Sequence, residues 1–479
     1  MKRVPLCRPV RAMPRPAPDA TSQAALQAAL DAERAGNRET ARTLCLRLLE
    51  QAPTGPQALA AHDALARILI GQDMAAAADH ALAAWRLTPQ DRTRRSNLWQ
   101  LLTHLGDAGD VARFQGREDC VGLVALGNAL RRDGQALRAE RAYRRALVFY
   151  PEVSFTLSRL ACLCVEQQRL EEADALFAQA AERHGGRDAV TRTAPAFLQS
   201  LREAPPPAGI RATIQEGAGA AARPLVVYAC CDAVYARKFL PTMVRSIAED
   251  SGLDCAIALH LVNPDADAEA TVAALVAAHG ADRFIILREA IDLSPLGDDA
   301  KTYYACSRFL VLPDLLIRWQ RPVLMLDVDL LAIRDLNPLL ATSARSDLGM
   351  MSHALKRLDI WSLLYADVLH IRPTTGALRF LDLTRRYIRH FLDRGMPVWF
   401  LDQAALAAVH LAGFAAEAAP RLTVYPADIH SSTVMVDGEG RYWTDDSAYF
   451  YSVRATGGGQ HAVHRLKHRA GTTADVKQG

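Results

Sequence analysis

What the chain lacks narrows its class first. No uncharged apolar run of about 18 residues occurs, so no membrane-spanning helix is expected. The opening stretch MKRVPLCRPVRAMPRPAPDA is basic and proline-rich but has no apolar segment of the kind a secretory signal carries. Neither sign of charge dominates: 56 Lys and Arg face 53 Asp and Glu, a net +3 that is too mild to announce a nucleic-acid binder. Lysine is scarce beside arginine, and alanine is abundant, a bias that suggests a GC-rich bacterial source. The nine cysteines are an odd number for a closed disulfide framework, and none forms C-x-x-C, which argues against a zinc ribbon or a thioredoxin-like pair. Reduced thiols in the cytoplasm are expected, with a peripheral place at the inner membrane left open.

At 479 residues, two or three domains are the natural expectation. Helical periodicity runs from Ser22 to His184 and repeats itself. Leu126, Gly127, Leu130, Ala139, Tyr143, Ala146 and Pro151 form one unit. Leu160, Ala161, Cys164, Ala173, Phe177 and Ala180 follow at a spacing of 34 residues. Two earlier units are looser: Ala28, Ala41, Cys45, Leu48 and Pro53, then Ala64, Ile68, Ala77, Ala81, Ala84 and Pro89. A worn unit spans Trp99 to Phe114. Small residues suit close helix crossings, and Tyr143 and Phe177 fill the space between pairs. The period and alternation resemble the tetratricopeptide repeat, which implies a concave surface for a protein partner or acceptor. The bland alternative is a helical stack that only supports its neighbour.

Gly, Pro and Ala dominate 186–222, read as a linker with one short helix in it and an extended run at Pro205–Pro207. Beyond it, PLVVYACC, AIALHLV, RFIILRE and PVLMLDVD read as buried strands separated by helical patterns. That is the signature of a mostly parallel sheet covered on both faces. Ligands of such sheets bind at the carboxyl ends of the strands. At one such end, extended alternation would put Asp327 and Asp329 on the same side. Two carboxylates there make a hard-oxygen site for Mn2+ or Mg2+. A second D-x-D, Asp265 and Asp267, opens a helical run and reads as a cap.

VLMLDVDLLAIRDLNPLL resembles the nucleotide-sugar segment of GT-A glycosyltransferases, family eight in particular, over residues 224–468. The resemblance implies a metal-dependent transferase of a nucleoside diphosphate sugar, UDP-linked, with retention of anomeric configuration; an inverting relative would need a carboxylate base, for which Asp367 or Asp402 could serve. It implies that Asp232 and Tyr235 in ACCDAVYARKF meet the base. Arg308 in YYACSRFLVLPDLL would face the diphosphate, and Asp402 and Gln403 in VWFLDQAAL would lie under the donor sugar. In HAVHRLKHR, His464 would complete the metal shell of Asp327 and Asp329, and Lys467 would clamp the diphosphate. His461 and His468 are alternatives, and Thr456–Gly459 would lend the flexibility to close over a donor. Where relatives place Asn-Ala-Gly, this chain has Tyr365-Ala366-Asp367, so Asp367 is a further sugar-binding candidate. His353 reads as structural or functional alike.

The expected architecture is therefore α followed by α/β. A tail at 1–20 precedes helical repeats at 21–185, a linker at 186–222, a GT-A domain at 223–470 and a tail at 471–479. The rival reading is a non-catalytic repeat scaffold with an inactive GT-A domain. A nucleotidyltransferase would want a glycine-rich loop after the first strand, which ACCDAVYARKF lacks.

Overall fold

A computed structural model describes residues 20–101 and 120–452, with breaks at 71, 89–90, 92, 95–96, 99–100, 152, 208, 210, 353–358, 427–428, 432–434, 437–441 and 444–447. His353, His461, His464, Lys467, His468, Thr456–Gly459 and most of the worn repeat lie outside the described residues. The chain divides into two compact units, Met1–Tyr150 and Pro151–Gly479.

The first unit is helical: α1 (Ala20–Arg34), α2 (Arg38–Gln51), α3 (Pro56–Leu69), α4 (Met74–Leu87), α5 (Cys120–Arg132) and α6 (Ala136–Phe149). Asn37 and Asp73 cap α2 and α4 by accepting from the backbone N–H of Thr40 and Ala76. The repeat period is visible as an ion pair: Arg67 grips Glu33, 34 positions earlier, through two bonds of 2.8 and 2.9 Å. The small residues sit where the sequence placed them. Gly127 lies under Tyr143, so a β-carbon added there would meet the ring at 2.4 Å. Tyr143 is fully buried and its hydroxyl donates to Asn128 at 2.7 Å, so it cannot yield. Alanine gains about 1 kcal/mol over glycine in a helix, but overpacking costs about 1–3 kcal/mol. Gly127→Ala is therefore expected to lower stability in chemical denaturation.

The second unit begins with the last helix pair, α7 (Ser154–Glu166) and α8 (Leu170–His184), followed by a 3-10 turn at Gly186–Val190 and α9 (Pro195–Glu203). The stretch read as a linker is thus largely structured and belongs to this unit. Tyr387 ties it down, its hydroxyl donating to the Val190 carbonyl at 2.7 Å. The same stretch also supplies a strand, β1 (Thr213–Glu216), antiparallel to β4.

Eight strands form the main sheet in the order β1-β4-β3-β2-β5-β8-β7-β9. They are β2 (Leu225–Asp232), β3 (Cys255–Val262), β4 (Phe284–Glu289), β5 (Val323–Leu326), β7 (Leu348–Met351), β8 (Val368–Ile371) and β9 (Leu422–Tyr425), beside β1. The central run β4-β3-β2-β5 is parallel; β8 runs antiparallel between β5 and β7. Both faces are covered, which is why every residue of β3 is buried and its sequence is continuously apolar around one His. Val226, Tyr228, Ala256, Ala258, Ile285 and Leu287 face α12 (Ala300–Trp319), α14 (Thr375–Leu392) and α15 (Leu401–Ala412). Val227, Ala229, Ile257, Leu259, Ile286 and Leu324 face α10 (Ala233–Glu249) and α11 (Ala266–His279). The helix α13 (Asn337–Thr342) precedes β7. Asp265 caps α11 by accepting from Ala268 N at 2.8 Å, which accounts for the second D-x-D.

A smaller sheet pairs β6 (Leu330–Ala332) with β13 (Phe450–Ser452), which also pairs with β10 (His430–Ser431); β11 (Met435–Val436) and β12 (Tyr442–Trp443) form a ribbon.

His370 on β8 is buried, its Nδ1 2.6 Å from Ser343 Oγ. Burial, with Arg372 nearby, pushes its pKa down to about 4. Between that value and the ordinary 6.5, the unfolded chain binds a proton that the folded chain refuses, so stability rises with pH across this window. Removing the group is expected to flatten the acid limb by on the order of 3 kcal/mol. Urea titrations of wild type and His370→Gln at the two ends of the window measure it.

Candidate functional site

One cavity of about 180 Å³ opens at the carboxyl end of the parallel strands. It is lined from four separate stretches of chain: Cys230, Cys231, Asp232 and Tyr235; Lys301, Tyr304, Ala305 and Arg308; Asp327, Val328 and Asp329; and Trp399, Phe400, Asp402 and Gln403.

The D-x-D segment is not extended. β5 stops at Leu326, and Leu330 N donates to the Asp327 carbonyl at 3.1 Å, so Asp327 and Asp329 flank a tight turn. The two carboxylates still share an outlook. Val328 between them is buried in the core of the α10 face, and its neighbours face the cavity. The turn also leads directly into β6, where Leu330 pairs with Ser452 of β13.

Arg308, on α12, is the electrostatic centre. Its side chain is only 8% exposed, and its two terminal nitrogens reach different carboxylates. Nη1 donates to Asp327 Oδ1, and Nη2 to Asp402 Oδ2 at 3.3 Å. Burial works against the guanidinium charge, but the two carboxylates hold it above its ordinary pKa. Asp402, 6% exposed against 37% for Asp327, is pushed up by burial, with Arg308 offsetting part of that. The triad is therefore asymmetric: both carboxylates line the cavity, but Asp402 is nearly buried while Asp327 is the more open. Arg308 Nε is buried and has no hydrogen-bond partner among the described residues.

Asp402 is not the helix cap. That position belongs to Phe400, in the left-handed region at φ 75°, an uncommon place for a bulky side chain that costs about 1–3 kcal/mol. The Arg187 guanidinium lies 4.2 Å from the centre of its ring and holds it there. The turn brings Trp399 and Phe400 to the cavity and sets Asp402 and Gln403 in the first turn of α15, with Gln403 N donating to Asp402 Oδ1 at 2.9 Å.

Asp232 caps α10, accepting from Tyr235 N at 2.7 Å, and also lines the cavity; Tyr235 packs on Phe239. Asp367 sits one strand away. Its carbonyl accepts from Asp327 N at 2.9 Å, but it is not among the cavity-lining residues. Sequence reasoning missed Cys230, Lys301, Tyr304, Trp399 and Phe400. The last two lie in the same VWFLDQAAL stretch as Asp402, with Leu401 between, and Tyr304 lies within the YYACSRFLVLPDLL stretch of Arg308, so adjacency was the available signal.

The described lining holds four carboxylates (Asp232, Asp327, Asp329 and Asp402) against two cations, Lys301 and Arg308. A polyanion entering it alone meets net repulsion; one accompanied by a divalent cation does not. Among the described residues, no three His, Cys, Asp or Glu side chains form a metal cage. A pair of carboxylates completed by ligand oxygens and water is nevertheless how Mg2+-like ions commonly sit beside phosphates.

No family model matches the chain, and no curated protein matches it. Among solved structures, it is similar over 48% of its length to 86% of the galactosyltransferase LgtC in complex with donor and acceptor sugar analogues, at 17% identity and a TM-score of 0.31. Another is the bifunctional glycosyltransferase WbbM, at 14% identity and TM-score 0.29, covering 43% of this chain and 39% of that one. MamA from Desulfovibrio magneticus RS-1 matches 34% of this chain over 95% of its own length, at 17% identity and TM-score 0.24. Likenesses this distant decide nothing about chemistry. The side chains in the cavity must do so.

Proposed function

We propose that the chain is a bacterial cytoplasmic glycosyltransferase moving a sugar from a UDP-linked donor to an acceptor hydroxyl, with its helical repeats holding the acceptor or a protein partner. The observation that carries the reading is the convergence of Asp232, Tyr235, Arg308, Asp327, Asp329, Asp402 and Gln403 from distant stretches onto one strand-end cavity. The excess of carboxylates supports a donor that enters with a divalent cation.

Asp327 and Asp329 would hold Mn2+ or Mg2+. When bound, that ion supplies charge neutralisation for the departing diphosphate. His464 is the third ligand in this reading. It lies twelve residues beyond Ser452, and such a span reaches up to about 40 Å, ample to return to the D-x-D turn beside β13. Lys467 follows on the same segment as a diphosphate clamp. Arg308 fixes the orientation of Asp327 and offers its Nε–H toward a phosphate oxygen. Asp232 and Tyr235 flank the base. Asp402 and Gln403 hydrogen-bond donor hydroxyls and stabilise positive charge developing at the anomeric carbon; Asp367, which does not line the cavity, is the remaining sugar-binding candidate. Retention of configuration is part of the proposal. In it, the acceptor approaches on the leaving-group face. Among the described residues, no helix is long and apolar enough to cross a membrane.

The test is a thermal-shift and hydrolysis panel of nucleoside diphosphate sugars on the full chain, with and without Mn2+. A UDP-sugar at about 100 times its Kd should add about 2.7 kcal/mol of apparent stability, and only with the metal. No metal-dependent shift with any donor, and no hydrolysis, would refute the enzyme and leave the scaffold.

A further inference from the structure

Three adjacent parallel strands carry a nucleophile, a base and an acid to the same face of the sheet. Cys230 on β2 is in register with His260 on β3, and Val262, two residues after His260, is in register with Glu289 at the end of β4. Residues 228, 230, 258, 260, 287 and 289 share the face covered by α12, because side chains alternate along each strand. Cys230 Sγ lies 3.2 Å from His260 Nδ1, which the Tyr228 hydroxyl also approaches at 2.9 Å; His260 Nε2 lies 3.2 Å from Glu289 Oε2, an ion-pair contact without hydrogen-bond geometry. Tyr303 on α12 donates to the other Glu289 oxygen at 2.5 Å, and Ser307 Oγ approaches Cys230 Sγ at 3.0 Å.

His260 and Glu289 are buried, whereas Cys230 lines the cavity and is the only cysteine among the described side chains that is not buried. The donor-binding reading gives none of these three a task. A buried His–Glu pair inside a hydrophobic sheet is costly unless its charges are matched, and a thiol open to solvent at one end is an unusual third member.

We propose that Cys230, paired with His260 and oriented through Glu289, is a reactive thiol in the cavity and a site of covalent modification by soft electrophiles, low-molecular-weight disulfides in particular. His260 accepts the thiol proton. Sγ attacks one sulfur of the disulfide, a new S–S bond forms to Cys230, and the old one breaks. The departing thiolate takes the proton from His260. Exchange is isoelectronic and needs no other reactant. The protonated imidazole is well supported: burial pushes it down, but Cys230 and Glu289 more than reverse this and bring it up to about 9. The groups facing the pair are Tyr228 from β2, Glu289 from β4, and Tyr303, Ser307 and Arg308 from α12. Tyr228 is held protonated by burial. An adduct on Sγ would project into the space beside Asp232 and Arg308; that blocking consequence rests on the proposed function, whereas the reactivity does not.

The experiment alkylates the full chain with iodoacetamide from pH 5 to 10 and reads each cysteine by peptide mass spectrometry, with glutathione as the unpaired reference thiol. Cys230 should react at least tenfold faster than glutathione near pH 6. Glu289→Gln should slow it at least fivefold there, and Cys230→Ser should remove the fast site. A rate no greater than that of glutathione overturns the proposal even if the Glu289 variant fails to fold. Treatment with 4,4′-dithiodipyridine should then abolish the UDP–Mn2+ thermal shift of wild type but leave unchanged whatever shift Cys230→Ser shows before treatment. Fast labelling with no UDP–Mn2+ shift in untreated protein would uphold the thiol and count against the transferase instead.

Discussion

Asp329→Asn is expected to remove the metal-dependent part of UDP binding, weakening it at least about 100-fold, while leaving the fold intact. The two halves of this expectation have separate causes. Asp329 is half-exposed at a turn, where substitutions usually change stability by no more than about 0.5 kcal/mol. An amide keeps the shape but removes the negative charge, and a hard divalent cation holds on mainly through charge. Asp329 is the better target because Asp327 also receives Arg308, so changing Asp327 would disturb the buried triad. Isothermal titration of UDP with and without Mn2+ reads the effect. Undiminished Mn2+-dependent binding in the variant would remove the metal from the D-x-D turn.

Arg308→Met is expected to be the most damaging single change in the second unit. The side chain is buried between two carboxylates, and breaking a buried pair by removing one partner costs about 3–5 kcal/mol. The cost has a pH sign. Asp402 is already raised by burial with Arg308 offsetting part of it; without Arg308, its pKa climbs further. The folded variant then holds a proton that the unfolded chain releases near pH 4, so its stability falls as pH rises through that interval. Adding Asp402→Asn removes the charge that would otherwise have to be buried. The double variant should regain most of the stability without regaining donor binding. Denaturation of the two single variants and the double variant at pH 5 and pH 8 gives the coupling directly. Additive losses would mean that Arg308 and Asp402 do not act as a pair.

Much of the fold was legible because it rests on local repetition. Period 34 in the small and large residues marked the helix pairs, and Gly127 under Tyr143 is that pattern in contact form. Apolar runs marked β2, β3, β4 and β5, since strands buried on both faces have no polar side to show. The stretch 186–222 was legible only in part: the short helix is there as α9, but the strand β1 and the anchoring were not foreseen. Its Gly, Pro and Ala content describes a backbone that costs much to order, but says nothing of Tyr387, almost 200 residues away, which anchors it at Val190. The strand β1 is likewise made by its partner β4. At the site, Asp232, Asp327, Asp329, Asp402 and Gln403 were each readable beside a strand end or helix start, and Arg308 within a helical run. Their mutual distances were not.

By itself, the sequence determined what depends on neighbours along the chain: which segments are helix or strand, which faces are apolar, and that two aspartates follow a buried strand. Only the tertiary structure decided that the D-x-D segment is a turn, that Arg308 bridges Asp327 and Asp402, and that a thiol, an imidazole and a carboxylate align across three strands. The turn is closed by a local backbone bond from Leu330 N to the Asp327 carbonyl, which side-chain alternation does not reveal; the other two share one physical reason. Charge pairing and proton sharing act through space over about 3 Å, between residues tens of positions apart, and strand register rather than spacing in the chain sets those distances.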